Sequence, residues 1–239
     1  MSDQRLQKIL RQGLAWRGWE SQQRPGSYLD TGYETLNARL HEQGWPQGGL
    51  IEVFSSTQHH AEWMLYFPAL RTLCERHPNG HIVLLNPPFV PCAEAWAQQN
   101  LPLDQFLLVE ATKPRDILMS FRELAKAKGC IALLLWQPHL NYAELRQCQL
   151  ALQHQQGLYV MFNHDIKLKQ ASPSILKLKV SPQPHNLKVQ ILKQRGALHN
   201  PQNAQAVNIA TNWAALAPTF TPLHFSEYDH SGTVVKHSL

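Results

Sequence analysis

Thr31-Gly-Tyr-Glu-Thr-Leu-Asn37, Gly44-Trp-Pro-Gln-Gly-Gly-Leu-Ile-Glu-Val-Phe54 and Ser55-Ser-Thr-Gln-His-His-Ala-Glu62 are the three stretches on which the fold turns. The middle one is a turn punctuated by glycine and proline that runs straight into a short apolar strand, Leu50–Phe54. A helix is predicted from about His60 to Arg76, with Pro68 imposing a kink or a late start. Strand and helix then alternate. His81–Leu85 reads as a continuous apolar strand halted by Pro87 and Pro88, Cys92–Gln99 as a short helix, and Phe106–Val109 as another strand. Pro114 opens a helix with Ile117, Phe121 and Leu124 on one face, and Gly129 stops it. Cys130–Trp136 is apolar on both faces, as a central parallel strand must be. Asn141 and Glu144 form a capping-box signature for a helix reaching Gln156, and Leu158–Phe162 is a further buried strand. This order predicts an α/β fold whose mostly parallel sheet is flanked by helices.

Outside that core the pattern changes. Ile175–Val180 and Leu187–Lys193 flank a Pro-rich turn and read as an antiparallel C-terminal hairpin. Leu176, Leu178 and Val180 lie on one face, Lys177 and Lys179 on the other. At the other end, Ser2 caps a predicted N-terminal helix to about Trp16 with an apolar stripe of Leu6, Ile9, Leu10 and Leu14. Glu20–Gly26 reads as a linker. The expected organisation is a helix and linker over residues 1–26, the α/β domain over 27–200, and a flexible tail over 201–239.

Apolar residues make up 44% of the 239, enough for a sizeable core. No apolar run approaches the roughly 20 residues of a membrane helix, and Met1–Leu10 lacks the pattern of a signal peptide, so a cytoplasmic location is expected. The cysteines Cys74, Cys92, Cys130 and Cys148 form no C-x-x-C pair, and the 13 histidines are scattered, so no metal is expected. Charge is uneven. Residues 1–165 carry 14 Lys/Arg against 15 Asp/Glu, whereas residues 166–239 carry eight against two. Lys167, Lys169, Lys177, Lys179, Lys188, Lys193 and Arg195 are therefore candidate contacts for DNA. A solvated basic surface that keeps the sheet edge from aggregating accounts for the same residues.

The stretch from Thr31 to Phe54 resembles the start of the RecA core, in which the apolar strand runs into a Walker A phosphate loop. That loop needs glycines so that backbone amides can wrap the phosphates, a lysine for the β- and γ-phosphates, and a hydroxyl for Mg²⁺. The matching positions here hold Ser55 and His60 for glycines, Ala61 for the lysine and Glu62 for the hydroxyl. A carboxylate there repels phosphate. The Walker B strand should end in Asp, but Ile131–Leu135 runs into Trp136. The reading is a RecA-like domain that has lost ATP chemistry: not an enzyme, with no cofactor.

RecA-like chains without a working Walker A occur in the ImuA family, which this chain resembles over roughly residues 10–196. The matching pieces are Ala15-Trp16-Arg17-Gly18, Thr31-Gly32 with Leu36-Asn37, and Gly44-Trp45-Pro46 with Gly48. They continue with Leu65–Leu70 around Pro68, Ala171-Ser172-Pro173-Ser174 before Leu176-Lys177-Leu178, and Ile191–Gly196. The family usually has Asp where Asn37 stands. The resemblance implies an accessory role in SOS-induced error-prone translesion synthesis, with ImuB, RecA and an error-prone DNA polymerase III alpha subunit as partners. The related SulA family, which inhibits division through FtsZ, resembles Leu50 to about Val180, but lacks the Thr31–Gly49 segment and the Ile191–Gly196 strand. Three functions are thus open: an adaptor docking through the Leu6, Ile9, Leu10, Leu14 stripe, a single-stranded DNA-binding module, and an FtsZ-binding division inhibitor.

Overall fold

A computed structural model describes residues 28–55, 61–88, 93–136, 140–163, 171–183, 186–195 and 206–210. In chain order the elements are β1 (Tyr28–Leu29), α1 (Glu34–Asn37), β2 (Trp45–Pro46), β3 (Leu50–Ser55), α2 (Phe67–Arg76), β4 (His81–Leu85), α3 (Ala93–Gln98) and β5 (Phe106–Val109). They continue with α4 (Pro114–Lys126), β6 (Cys130–Trp136), α5 (Tyr142–Ala151), β7 (Leu158–Asn163), β8 (Leu176–Gln183), β9 (Asn186–Gln194) and β10 (Val207–Ala210). Eight strands form one sheet in the order β10-β9-β8-β3-β7-β6-β4-β5. The ladder from β8 to β5 is parallel, and β9 pairs antiparallel with both β8 and β10.

The fold is mixed α/β, a mostly parallel sheet with helices on both faces. Alternation along the strands explains the two layers. Ile51, Val53, Leu134, Val160 and Leu178 join α2 residues such as Leu70 and Leu73 in one core. Leu50, Leu133, Leu135, Tyr159 and Met161 meet Ile117, Phe121 and Leu145 of α4 and α5 in the other. No helix among the described residues is long and apolar enough to cross a membrane.

Local chemistry explains where elements begin and end. Pro68 lacks an amide donor and sits in the first turn of α2, so the α-helix starts at Phe67 and Ala61–Tyr66 winds as a 3₁₀ helix instead. Asn141 accepts from the Glu144 amide, and Glu144 reaches back to the Asn141 amide, closing the capping box of α5. That helix ends at Ala151, five residues before the expected Gln156. A turn follows it, with His154 at φ 76°. The β8–β9 ladder also runs further than the alternation alone indicated, closing at Gln183 opposite Asn186. Val207–Ala210, inside the stretch expected as a tail, is a strand with Val207 and Ile209 turned into the core.

The glycine-rich turn between β2 and β3 docks on the loop that leaves α5. The Gly48 amide donates to Gly157 O (3.0 Å) and Gln47 Nε2 to Gln156 O (2.9 Å). Gly48 has φ +73°, and a Cβ there would lie 2.3 Å from the Gln155 carbonyl oxygen. Gly48→Ala therefore meets both left-handed strain and a backbone clash. A loss of about 2–4 kcal/mol is expected, as for other strained backbone positions, read as a lower urea midpoint at unchanged slope.

Candidate functional site

At the end of β3, where a phosphate loop would begin, Ser55 is buried. His60 lies outside the described residues. Ala61 opens the 3₁₀ helix, and Glu62 follows with its side chain fully buried. A phosphate cradle draws on the amides and dipole of an α-helix N-terminus. Here the α-helix starts only at Phe67, behind that 3₁₀ turn.

The end of β6, where the RecA resemblance would put a Walker B carboxylate, is occupied by rings. Trp136 ends β6 at 5% exposure and stacks on Phe162 of β7, with centroids 4.8 Å apart and planes 19° from parallel. Trp63 approaches Trp136 edge-on at 6.2 Å and contacts Phe67 at 4.7 Å and Trp96 at 5.5 Å. Tyr66 extends the cluster to Phe162 at 6.0 Å and Trp45 at 4.7 Å. Edge-to-face and offset geometries of this kind favour ring packing beyond the area buried. Burial holds the Tyr66 phenol well above its ordinary pKa of 10.0. Trp63, Tyr66, Trp136 and Phe162 are thus part of the hydrophobic core.

The described cysteines share that character. Burial raises the Cys74 thiol to about 11 and those of Cys130 and Cys148 to about 12, so all three are protonated and unreactive at neutral pH. Among the described residues no three His, Cys, Asp or Glu side chains gather as a metal-ligand set.

Four of the candidate basic residues share one face of the sheet. Lys177 stands opposite Lys193, Lys179 opposite Gln190, and Ser181 opposite Lys188, which in turn faces Asn208 of β10. This face is the continuation of the α4/α5 side beyond β3. Lys188 is exposed and Lys179 half-buried, whereas Lys177 is buried with its Nζ 4.9 Å from the centre of the Phe54 ring. Arg195 lies apart, on the wall of a small cavity with Tyr28, His41 and Pro46. Lys167, Lys169 and the stripe Leu6, Ile9, Leu10, Leu14 lie outside the described residues.

One polar constellation escapes a linear reading. Glu52, the single carboxylate of β3, is 2% exposed and accepts a hydrogen bond from the Ser172 hydroxyl. The Ser174 amide donates to Ser172 Oγ (3.1 Å), and Lys193 Nζ donates to the carbonyls of Ser172 (2.6 Å) and Ser174 (2.7 Å). Burial lowers the Lys193 pKa, and Glu52 partly offsets this. The cluster staples the chain before β8 to strands on either side. Lys193 is thus engaged by backbone carbonyls rather than presented to solvent. The signal in the sequence is a lone glutamate inside an apolar strand, whose partners lie about 120 and 140 positions away.

No protein-family model matches the chain, and no curated protein does. Among solved structures it is similar to SulA from Pseudomonas aeruginosa at 22% identity, covering 48% of this chain and 98% of that one with a TM-score of 0.41. At that level the likeness carries no argument about role.

Proposed function

We propose that the chain is a non-catalytic, RecA-like adaptor of the ImuA kind that serves SOS-induced translesion synthesis by binding ImuB, RecA and an error-prone polymerase. The observation that supports it best is the ring cluster around Trp136, which replaces the carboxylate that nucleotide chemistry needs. The supporting sequence pieces run from Ala15 to Gly196, beyond the stretch that resembles SulA.

The test is affinity capture of the tagged protein after DNA damage, at moderate salt with nuclease present. Recovery of ImuB, RecA or the polymerase supports the adaptor; recovery of FtsZ alone makes the chain a SulA-type division inhibitor. Leu10→Asp, which places a charge in the N-terminal apolar stripe, is expected to reduce that capture at least tenfold while leaving the far-UV circular dichroism and melting temperature unchanged. Unchanged capture removes the stripe from the interface.

A second reading, single-stranded DNA binding, draws on the placement of the half-buried Lys179 and the exposed Lys188 on one face of neighbouring strands. Its affinity for an oligothymidylate would fall steeply with salt. A flat salt dependence, or binding unaffected by Lys179→Glu with Lys188→Glu, excludes it.

A further inference from the structure

Strand β5 is the outermost strand at the parallel end of the sheet, and among the described residues nothing pairs with its outer side. It reads Phe106-Leu107-Leu108-Val109, with no charge and no proline, and Leu107 and Leu108 are 42% and 51% exposed. Leu103, just before it, is 42% exposed. An uncharged leucine edge is what folded proteins normally blunt with lysine, proline or a covering segment, because its free amides and carbonyls template another strand. The edge is bracketed by exposed acids, Asp104 at its start and Glu110 at its end. Glu75 adds to the charge at the start, since it and Asp104 both act on the Cys74 thiol.

The chain carries a segment of matching chemistry. After β10, Thr233-Val234-Val235-Lys236 is β-branched, and Lys236 is the only Lys or Arg beyond Arg195. Other apolar runs there fit less well. Trp213–Leu216 is alanine-rich, and Leu223–Phe225 follows Pro222 and leads into Glu227 and Asp229, which would meet the acids beside β5. Reach is sufficient. Crossing from β10 to β5 takes seven strand spacings, about 34 Å. The 22 residues from Thr211 to Gly232 extend to roughly 70 Å.

We propose that Thr233–Lys236 docks as an added strand on the outer edge of β5, antiparallel to it, with Lys236 beside Asp104. The valines cover Leu107 and Leu108, and the sheet gains a ninth strand that closes its apolar edge. This does not depend on the adaptor reading.

Amide hydrogen exchange across Phe106–Glu110 tests it. In the full chain the amides of this strand are expected to exchange at least tenfold more slowly than in Lys236→Glu or in the chain ended after Asp229. The charge swap Asp104→Lys with Lys236→Glu should restore the slow exchange, which a general loss of stability would not do. Equal exchange in all four proteins overturns the proposal. So does protection that disappears on dilution, which would place a second copy of the chain on the edge.

Discussion

Trp136→Asp, which puts a carboxylate at the end of β6 where the RecA resemblance would expect one, is expected to abolish the native fold rather than produce nucleotide chemistry. Trp136 is 5% exposed between Phe162 and Trp63. Removing a buried tryptophan costs about 3–5 kcal/mol through lost contacts and the void left behind. An aspartate in that void either desolvates its charge or takes up a proton, and each adds several kcal/mol. The sum is comparable to the whole stability of a domain, about 5–15 kcal/mol. The expected result is loss of the cooperative urea transition and of the near-UV aromatic circular dichroism, with no ATP hydrolysis. Trp136→Phe, which keeps a ring against Phe162, should retain a cooperative transition and most of the stability. A Trp136→Asp protein within about 1 kcal/mol of the parent, a difference small against total stability, would mean that the position is open and polar, and the non-catalytic reading would fall with it.

The second large effect is expected at Glu52. Glu52→Ala removes the carboxylate that accepts from the Ser172 hydroxyl, leaving Ser174 Oγ at 3.0 Å as its alternative, and takes from Lys193 the carboxylate that favours its charged form. Removing a buried hydrogen-bond acceptor while its partner groups stay costs about 1–3 kcal/mol. Glu52→Gln, which still accepts a hydrogen bond, should lose about 1–2 kcal/mol. The pH dependence has a definite sign. Lys193 titrates below its ordinary 10.5 in the folded protein, so the unfolded chain binds more protons in that window and stability rises with pH through it. Without Glu52 the folded Lys193 pKa drops further. The deficit of Glu52→Ala is therefore greatest near neutral pH and narrows as the solution approaches pH 10.5. Urea midpoints of parent and variant at several pH values measure this. A deficit independent of pH would show that Lys193 takes no part.

The same residues show what can be read along a chain. β4, β5 and β6 were legible to the residue because each is an apolar run closed by a proline, a glycine or a polar loop, and such signals are local. The α5 cap was legible because Asn141 and Glu144 are three positions apart. The end of α5 was not, since the nearest breaker, Gly157, lies beyond the true end. Gly157 is small for another reason: a Cβ there would sit 2.7 Å from the Tyr159 hydroxyl. β10 was missed because four residues, Val-Asn-Ile-Ala, alternate too briefly to stand out. They form a strand because β9 offers a ladder and α1 covers the buried side.

The sequence by itself determined the parallel α/β plan and the residue types at the ends of β3 and β6, Ser55 and Trp136. These follow from side-chain period and residue type, properties carried by neighbours in the chain. Only the tertiary structure decided what packs around Trp136 and which lysines remain available. Trp136 meets Phe162 and Trp63 because strand order brings β6 beside β7 and below the 3₁₀ turn. Lys193 is held by Ser172 and Ser174 because β9 crosses back over the start of β8. Contacts between residues twenty to more than a hundred positions apart are set by the folded path of the chain, and local sequence does not encode that proximity.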